Sequence, residues 1–149
     1  MKIKAIIISL KGKQLTKKEK LLIKKEKPWG VILFKRNIIT LKQTINLIEE
    51  IRKFAGNKKF PVLVDEEGST VSRIKNIATH DFNAHFFGKL YEIDKKSAID
   101  LYKNYLKSLC ALLRKIGFNI NTIPVLDVLR KKTNKIIGNR SFSNNKKIV

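Results

Sequence analysis

Three short apolar runs, separated by two segments that each carry helix start and stop signals, constrain this chain more than any other feature. The runs are residues 5–10, 30–34 and 60–64. Each is rich in aliphatic and β-branched side chains and too short for a buried helix, so each reads as a strand. The first, Ala5-Ile6-Ile7-Ile8-Ser9-Leu10, is the pattern expected of a strand buried on both faces of a parallel sheet. Between the first two runs, Thr16 and Glu19 have the spacing of a capping box, residues 17–27 are mostly good helix formers, and Pro28 ends them. Between the second and third, Thr40 and Gln43 repeat the capping pattern. Leu41, Ile45, Ile48 and Ala55 follow at helical spacing, and Gly56 suits the C-terminal cap. Pro61 stands near the start of its run, where a strand tolerates it.

Residues 65–97 read mainly as loops. Beyond them Ala98, Tyr102, Tyr105, Leu109, Leu113 and Ile116 form the cleanest amphipathic stripe in the chain, closed by Gly117, and a fourth strand is expected within residues 118–128. Strand, helix, strand, helix, strand, helix, strand is the order of right-handed crossovers and therefore of an α/β fold with a parallel sheet. Asn144 and Asn145 look like helix N-caps and residues 146–149 like the start of a helix, so the expectation is a domain cut short.

The composition narrows function mainly by exclusion. With 43% hydrophobic residues, seven Gly and three Pro, the 149-residue chain can bury a core and is not a disordered linker. No apolar run approaches a membrane span or a secretory signal, so a cytoplasmic protein with no membrane partner is expected. The net charge of +21 raises nucleic acid as a partner. However, only six of the 33 basic residues are Arg, and the excess falls on both outer thirds rather than on one stripe. No zinc-finger spacing or aromatic RNA-binding motif accompanies it. Solvated lysine faces account for the charge, and no specific nucleic-acid partner is expected. The single Cys110 excludes an internal disulfide, and its place beside Leu109 on the amphipathic helix suggests a buried apolar thiol.

In parallel α/β folds ligands bind beyond the carboxyl ends of the strands, and the unusual polar residues fall there. Lys35-Arg36-Asn37 follows the second strand, Asp65-Glu66-Glu67-Gly68 the third, and Asp127 and Arg140 the fourth. Asp65, at the end of an apolar run, could accept sugar hydroxyls; capping a turn or pairing with a lysine would explain it equally well. Asp65 and Glu66 invite a two-carboxylate glycosidase reading. Adjacent strand residues point to opposite faces, so they are not assigned as a catalytic pair. Arg73 and Arg140 stand out in a lysine-rich chain because a guanidinium offers a planar fork for carboxylates, hydroxyls and amide oxygens; a structural ion pair is the competing explanation for each. His80 and His85 near Asp81 lack a metal-binding motif, so no metal site is expected.

Four motifs in this order and spacing resemble the bacterial β-N-acetylglucosaminidases of glycoside hydrolase family three. They are Gly30-Val31-Ile32-Leu33-Phe34-Lys35-Arg36-Asn37; Val64-Asp65-Glu66-Glu67-Gly68 through Arg73; Pro124-Val125-Leu126-Asp127-Val128; and Ile137-Gly138-Asn139-Arg140-Ser141-Phe142. The resemblance spans residues 1–149 and implies the N-terminal half of a TIM-type (β/α) barrel. It implies a retaining hydrolase that releases N-acetylglucosamine from recycled peptidoglycan muropeptides in the cytoplasm, without metal or organic cofactor. Asp65, Arg73 and Arg140 match positions that hold the N-acetylglucosamine unit. The family's Lys-His-Phe-Pro-Gly-His-Gly loop, its histidine acid/base and its aspartate nucleophile would lie beyond Val149, so no catalytic residue is expected here. Ser69-Thr70 stand where the family usually has Gly-Arg, and Glu66 where Gln is common. The competing reading is an inactive half-barrel acting as a sugar-binding or assembly module. Either a complementary half or self-association would cover barrel-interior residues such as Ile6, Ile8, Ile32, Leu63 and Val125.

Overall fold

The computed structural model describes residues 3–149. Four parallel strands lie side by side in chain order: β1 (Lys4–Ser9), β2 (Pro28–Leu33), β3 (Val62–Val64) and β4 (Ile120–Asn121). Helix α1 (Lys17–Glu26) links β1 to β2, and α2 (Leu41–Ala55) links β2 to β3. Two helices, α3 (Ala84–Ile93) and α4 (Lys95–Ile116), link β3 to β4. Each strand pairs with the next in sequence and in the same direction, which is how the wall of a (β/α) barrel is laid down. The chain is thus α/β, with the strand order expected of the first half of such a barrel.

The alternation of each strand divides its side chains between two environments. Val31, Leu33, Val62 and Val64 turn to the helices and are fully buried, packed with Ile23 of α1, Leu47, Ile48 and Ile51 of α2, and Leu109, Leu113 and Ile116 of α4. Burying each such side chain stabilises the fold by about 1.5–3 kcal/mol before conformational entropy is charged against it. The opposite, concave face carries Ile7, Ile32 and Leu63, which the strand register aligns with Gly30, Ser9 and Ile120.

β1 departs from expectation. It is an edge strand paired only with β2 among the described residues, and it is largely exposed, with Ile6 and Ile7 at 47% and 46%. A continuous apolar run implies burial on both faces, but only the helix side is covered, where Ile8 and Leu10 join the core. The interior set is corrected accordingly. Ile8 belongs to the helix-side core, Leu63 is only 5% exposed, Ile32 and Val125 are half-buried, and of the five only Ile6 is exposed. Cys110 is exposed, not buried, because one residue past Leu109 turns about 100° away from the packed stripe. Residues 84–93, read as loop, form α3.

The capping box before α1 is complete. Thr16 Oγ1 accepts the Glu19 N–H at 3.2 Å, and Glu19 Oε2 accepts the Thr16 N–H at 2.7 Å. Glu19 Oε1 also accepts the Lys11 N–H at 2.8 Å, tying the β1–α1 loop to the helix. Replacing Thr16 by alanine is expected to cost about 1 kcal/mol, measured by chemical denaturation. Burial alone would raise the Glu19 carboxyl above its ordinary 4.5, but the bonds from Lys11 and Thr16 outweigh it and hold the group lower. A carboxyl depressed by folding contributes stability that is complete above its unfolded value and lost as the pH falls through the folded one. The stability gap between wild type and Glu19→Gln should therefore narrow below about pH 4.5.

Candidate functional site

The site grows from the end of β3. Leu63 and Asp65 share the concave face while Val64 and Glu66 point the other way, so consecutive acids part company as the strand ends. Asp65, whose side chain is 20% exposed, accepts a hydrogen bond from Thr122 Oγ1 at 2.7 Å and meets Arg73 Nη2 at 3.5 Å. Thr122 follows β4 directly, and its backbone N–H continues the ladder to the Val64 carbonyl. The neighbouring strand thereby sets the orientation of the carboxylate.

Glu66 is fully buried and acts structurally. Its Oε2 accepts the backbone N–H groups of Arg73 and Ile74 at 2.7 and 3.0 Å, and its Oε1 lies 3.3 Å from His80 Nε2. Asn121 grips its backbone from both sides, accepting the Glu66 N–H and donating to the Glu66 carbonyl, each at 3.0 Å. A buried carboxylate with three polar partners closes the 66–74 loop and presents Arg73 to Asp65. The Arg73 side chain lies over the Phe34 ring, its central carbon 5.6 Å from the centroid.

Glu67 turns to Arg140, its Oε2 accepting from Nε at 2.7 Å and its Oε1 from Nη2 at 2.9 Å. This fork-to-fork pair joins the loop after β3 to the short 3₁₀ turn Gly138–Arg140. It raises the Arg140 guanidinium above its ordinary value; the charges of Asp127 and Asp65 add to the effect, and burial works against it. Asp65, Arg73 and Arg140, singled out in the sequence, thus meet at one end of the sheet. The sequence did not reveal Thr122 and Glu67 as their partners, nor Asn121 and His80 as partners of Glu66. Asn121 and Thr122 carried a visible signal, as polar residues inside an expected strand.

Two other sequence features resolve differently. Arg36 and Asn37 do not enter the site: Arg36 Nε donates to the Leu10 carbonyl, and the buried Asn37 amide donates to the Leu10 and Gly12 carbonyls, tying the β1 and β2 loops together. Ser69 and Thr70 need no glycine conformation. Only Gly68 in that loop has a positive φ, +137°, and a Cβ there would fall on the Phe82 carbonyl. Among the described residues no group of three His, Cys, Asp or Glu side chains converges as a metal site, and no helix is long and apolar enough to cross a membrane.

Behind the site an aromatic cluster of Phe82, Phe86, Phe87, Tyr102, Tyr105 and Phe142 joins α3 and α4 to the segment after Arg140. Burial, with the Glu66 charge adding to it, pushes the Tyr105 phenol up to about 12.

The model of the glycosyl hydrolase family 3 N terminal domain matches residues 2–149. A beta-hexosaminidase of Thioalkalivibrio sulfidiphilus is 32% identical over the whole chain, and one of Bordetella pertussis is 33% identical over 97% of it. The chain spans 42% and 41% of the length of these relatives. Among solved structures, NagZ from Neisseria gonorrhoeae, crystallised with a zinc ion, superposes with a TM-score of 0.86 at 26% identity, covering 98% of this chain and 44% of that one. The same protein has been crystallised with N-trifluoroacetyl-D-glucosamine, where the TM-score is 0.85 at 24% identity.

Proposed function

Because this chain belongs to the glycosyl hydrolase family 3 N terminal domain family, we propose that it carries the N-acetylglucosamine-holding part of a retaining β-N-acetylhexosaminidase site. Asp65 accepts hydrogen bonds from sugar hydroxyls, while Arg73 and Arg140 donate to hydroxyl and amide oxygens. The observation that carries the reading is the partly exposed Asp65 carboxylate, fixed by Thr122 at the end of β3 with Arg73 beside it. A carboxylate held in place before the sugar arrives loses little freedom on binding, and so does a guanidinium locked by its own partner. Glu66 and Glu67 are not proposed as acid/base or nucleophile, since their oxygens are engaged by backbone N–H groups, His80 and Arg140.

The substrate class is an N-acetylglucosamine-terminated saccharide, with peptidoglycan-derived muropeptides recycled in the cytoplasm as its source. The 1–149 unit would act as one part of the barrel, and its partner would be a complementary half or a second copy seated on β1 and β4. The gonococcal relative's complex with an N-acyl glucosamine supports the ligand class. Thermal unfolding tests the reading. N-acetylglucosamine, and not glucose, should raise the melting temperature of the purified chain by mass action. The chain alone should release no chromophore from an aryl N-acetyl-β-glucosaminide. Absence of any shift with N-acetylglucosamine would count against the sugar site. Turnover that disappears in Asp65→Ala would move the chemistry onto these residues.

A further inference from the structure

We propose that Glu66 and Glu67 are positioning residues, Glu66 fixing Arg73 beside Asp65 and Glu67 holding Arg140 at the same end of the sheet. This rests on the saccharide reading above only for its effect on affinity; the clamp itself is a claim about this chain's own geometry. Three consecutive carboxylates follow β3, and the structure gives each a different task. Asp65 faces the open side. Glu66, with no exposed side-chain surface, receives the backbone N–H of Arg73 itself, so it fixes where the Arg73 side chain leaves the loop. Glu67, 11% exposed, holds the Nε–Nη2 edge of Arg140, leaving Nη1 as the donor group that the pair does not use.

The arrangement answers a problem of charge and flexibility. Arg73 and Arg140 sit on irregular segments, and long side chains there lose rotamer freedom when they engage a ligand. A bidentate carboxylate removes that freedom in advance for Arg140. The contact joins residues 73 positions apart, so it also locks the loop after β4 to the loop after β3. Asp65 is left with a single long contact to Arg73 and the Thr122 hydroxyl, and keeps acceptor capacity for a ligand.

Nitrogen-15 NMR of the arginine Nε–H groups in the full chain tests the clamp directly, with Arg140→Lys assigning the Arg140 signal among six arginines. In wild type the Arg140 Nε–H should be shifted downfield and slow to exchange with water, and in Glu67→Gln it should be averaged and fast. Titration with N-acetylglucosamine then reads the consequence: Glu67→Gln should weaken binding by about tenfold with little change in melting temperature. Glu66→Gln, which keeps one acceptor for the backbone N–H groups, should bind more tightly than Glu66→Ala. Glu66 is buried and its variants could fail to fold, whereas Glu67→Gln remains decisive. An Arg140 signal equally protected in Glu67→Gln would overturn the clamp. A signal lost in Glu67→Gln, in a wild-type chain that binds no sugar, would uphold the clamp and overturn the saccharide reading.

Discussion

Replacing Gly88 by alanine should lower stability by about 2–4 kcal/mol, even though alanine is the better helix residue by about 1 kcal/mol. Gly88 lies on the buried face of α3, and a Cβ there would fall on the carbonyl oxygen and carbon of Phe142. Both atoms are backbone, so no rotamer change relieves the clash. The displaced segment carries Ser141, fully buried, with its hydroxyl donating to the Asp127 and Ser143 carbonyls, and Phe142, edge-on against Tyr102. Arg140 lies immediately before it. Denaturant unfolding should show the loss, and the Arg140–Glu67 pair should loosen together with it. A Gly88→Ala variant as stable as wild type would mean that this segment does not dock on α3.

Asp65→Ala should have the largest effect on ligand binding. Removing a carboxylate that accepts hydroxyl hydrogen bonds, and leaving Arg73 without its counter-charge, should weaken N-acetylglucosamine binding by about 2–4 kcal/mol, roughly 30-fold or more. Stability should change far less, because Asp65 keeps only Thr122 and a 3.5 Å contact to Arg73, both at a partly exposed surface. Asp65→Asn should fall between the two, since an amide oxygen still accepts but the charge is gone. Equal affinity in all three proteins would remove Asp65 from the site.

The elements with a clear period were legible in the sequence. β2, β3, α1, α2 and α4 lie within a few residues of the runs and caps that predicted them, because their apolar residues and their terminators agree. α3 was not legible. Phe86 and Phe87 are adjacent rather than spaced along one face, and Gly88 interrupts the pattern; the helix is held by the aromatic cluster on α4 and started by Asn83, whose side chain accepts the Phe86 N–H. β4 is only two residues long because side chains substitute for its ladder: Asn119 Oδ1 accepts the Val62 N–H at 2.7 Å, and Asn121 grips Glu66. Such roles depend on contacts some 55 positions away, beyond the reach of local pattern. β1 misled for the same reason, since an apolar run does not say which of its faces will be covered.

The site divides along the same line. Asp65, Arg73 and Arg140 could be singled out as unusual residue types at strand ends. Their partners, Thr122, Glu66 and Glu67, could not, because a carboxylate after this strand could equally accept sugar hydroxyls, cap a turn or pair with a lysine until the turn after β3 separated the three directions.

N-acetylglucosamine is proposed to bind at the end of β3 against Asp65, Arg73 and Arg140. Titrating the isotopically labelled chain with N-acetylglucosamine and following backbone amide and arginine side-chain resonances tests it most directly. Saturable shifts confined to residues around Asp65, Arg73, Thr122 and Arg140 are expected, absent with glucose and abolished by Asp65→Ala. Shifts clustered elsewhere, or a spectrum unchanged at saturating sugar, would contradict it.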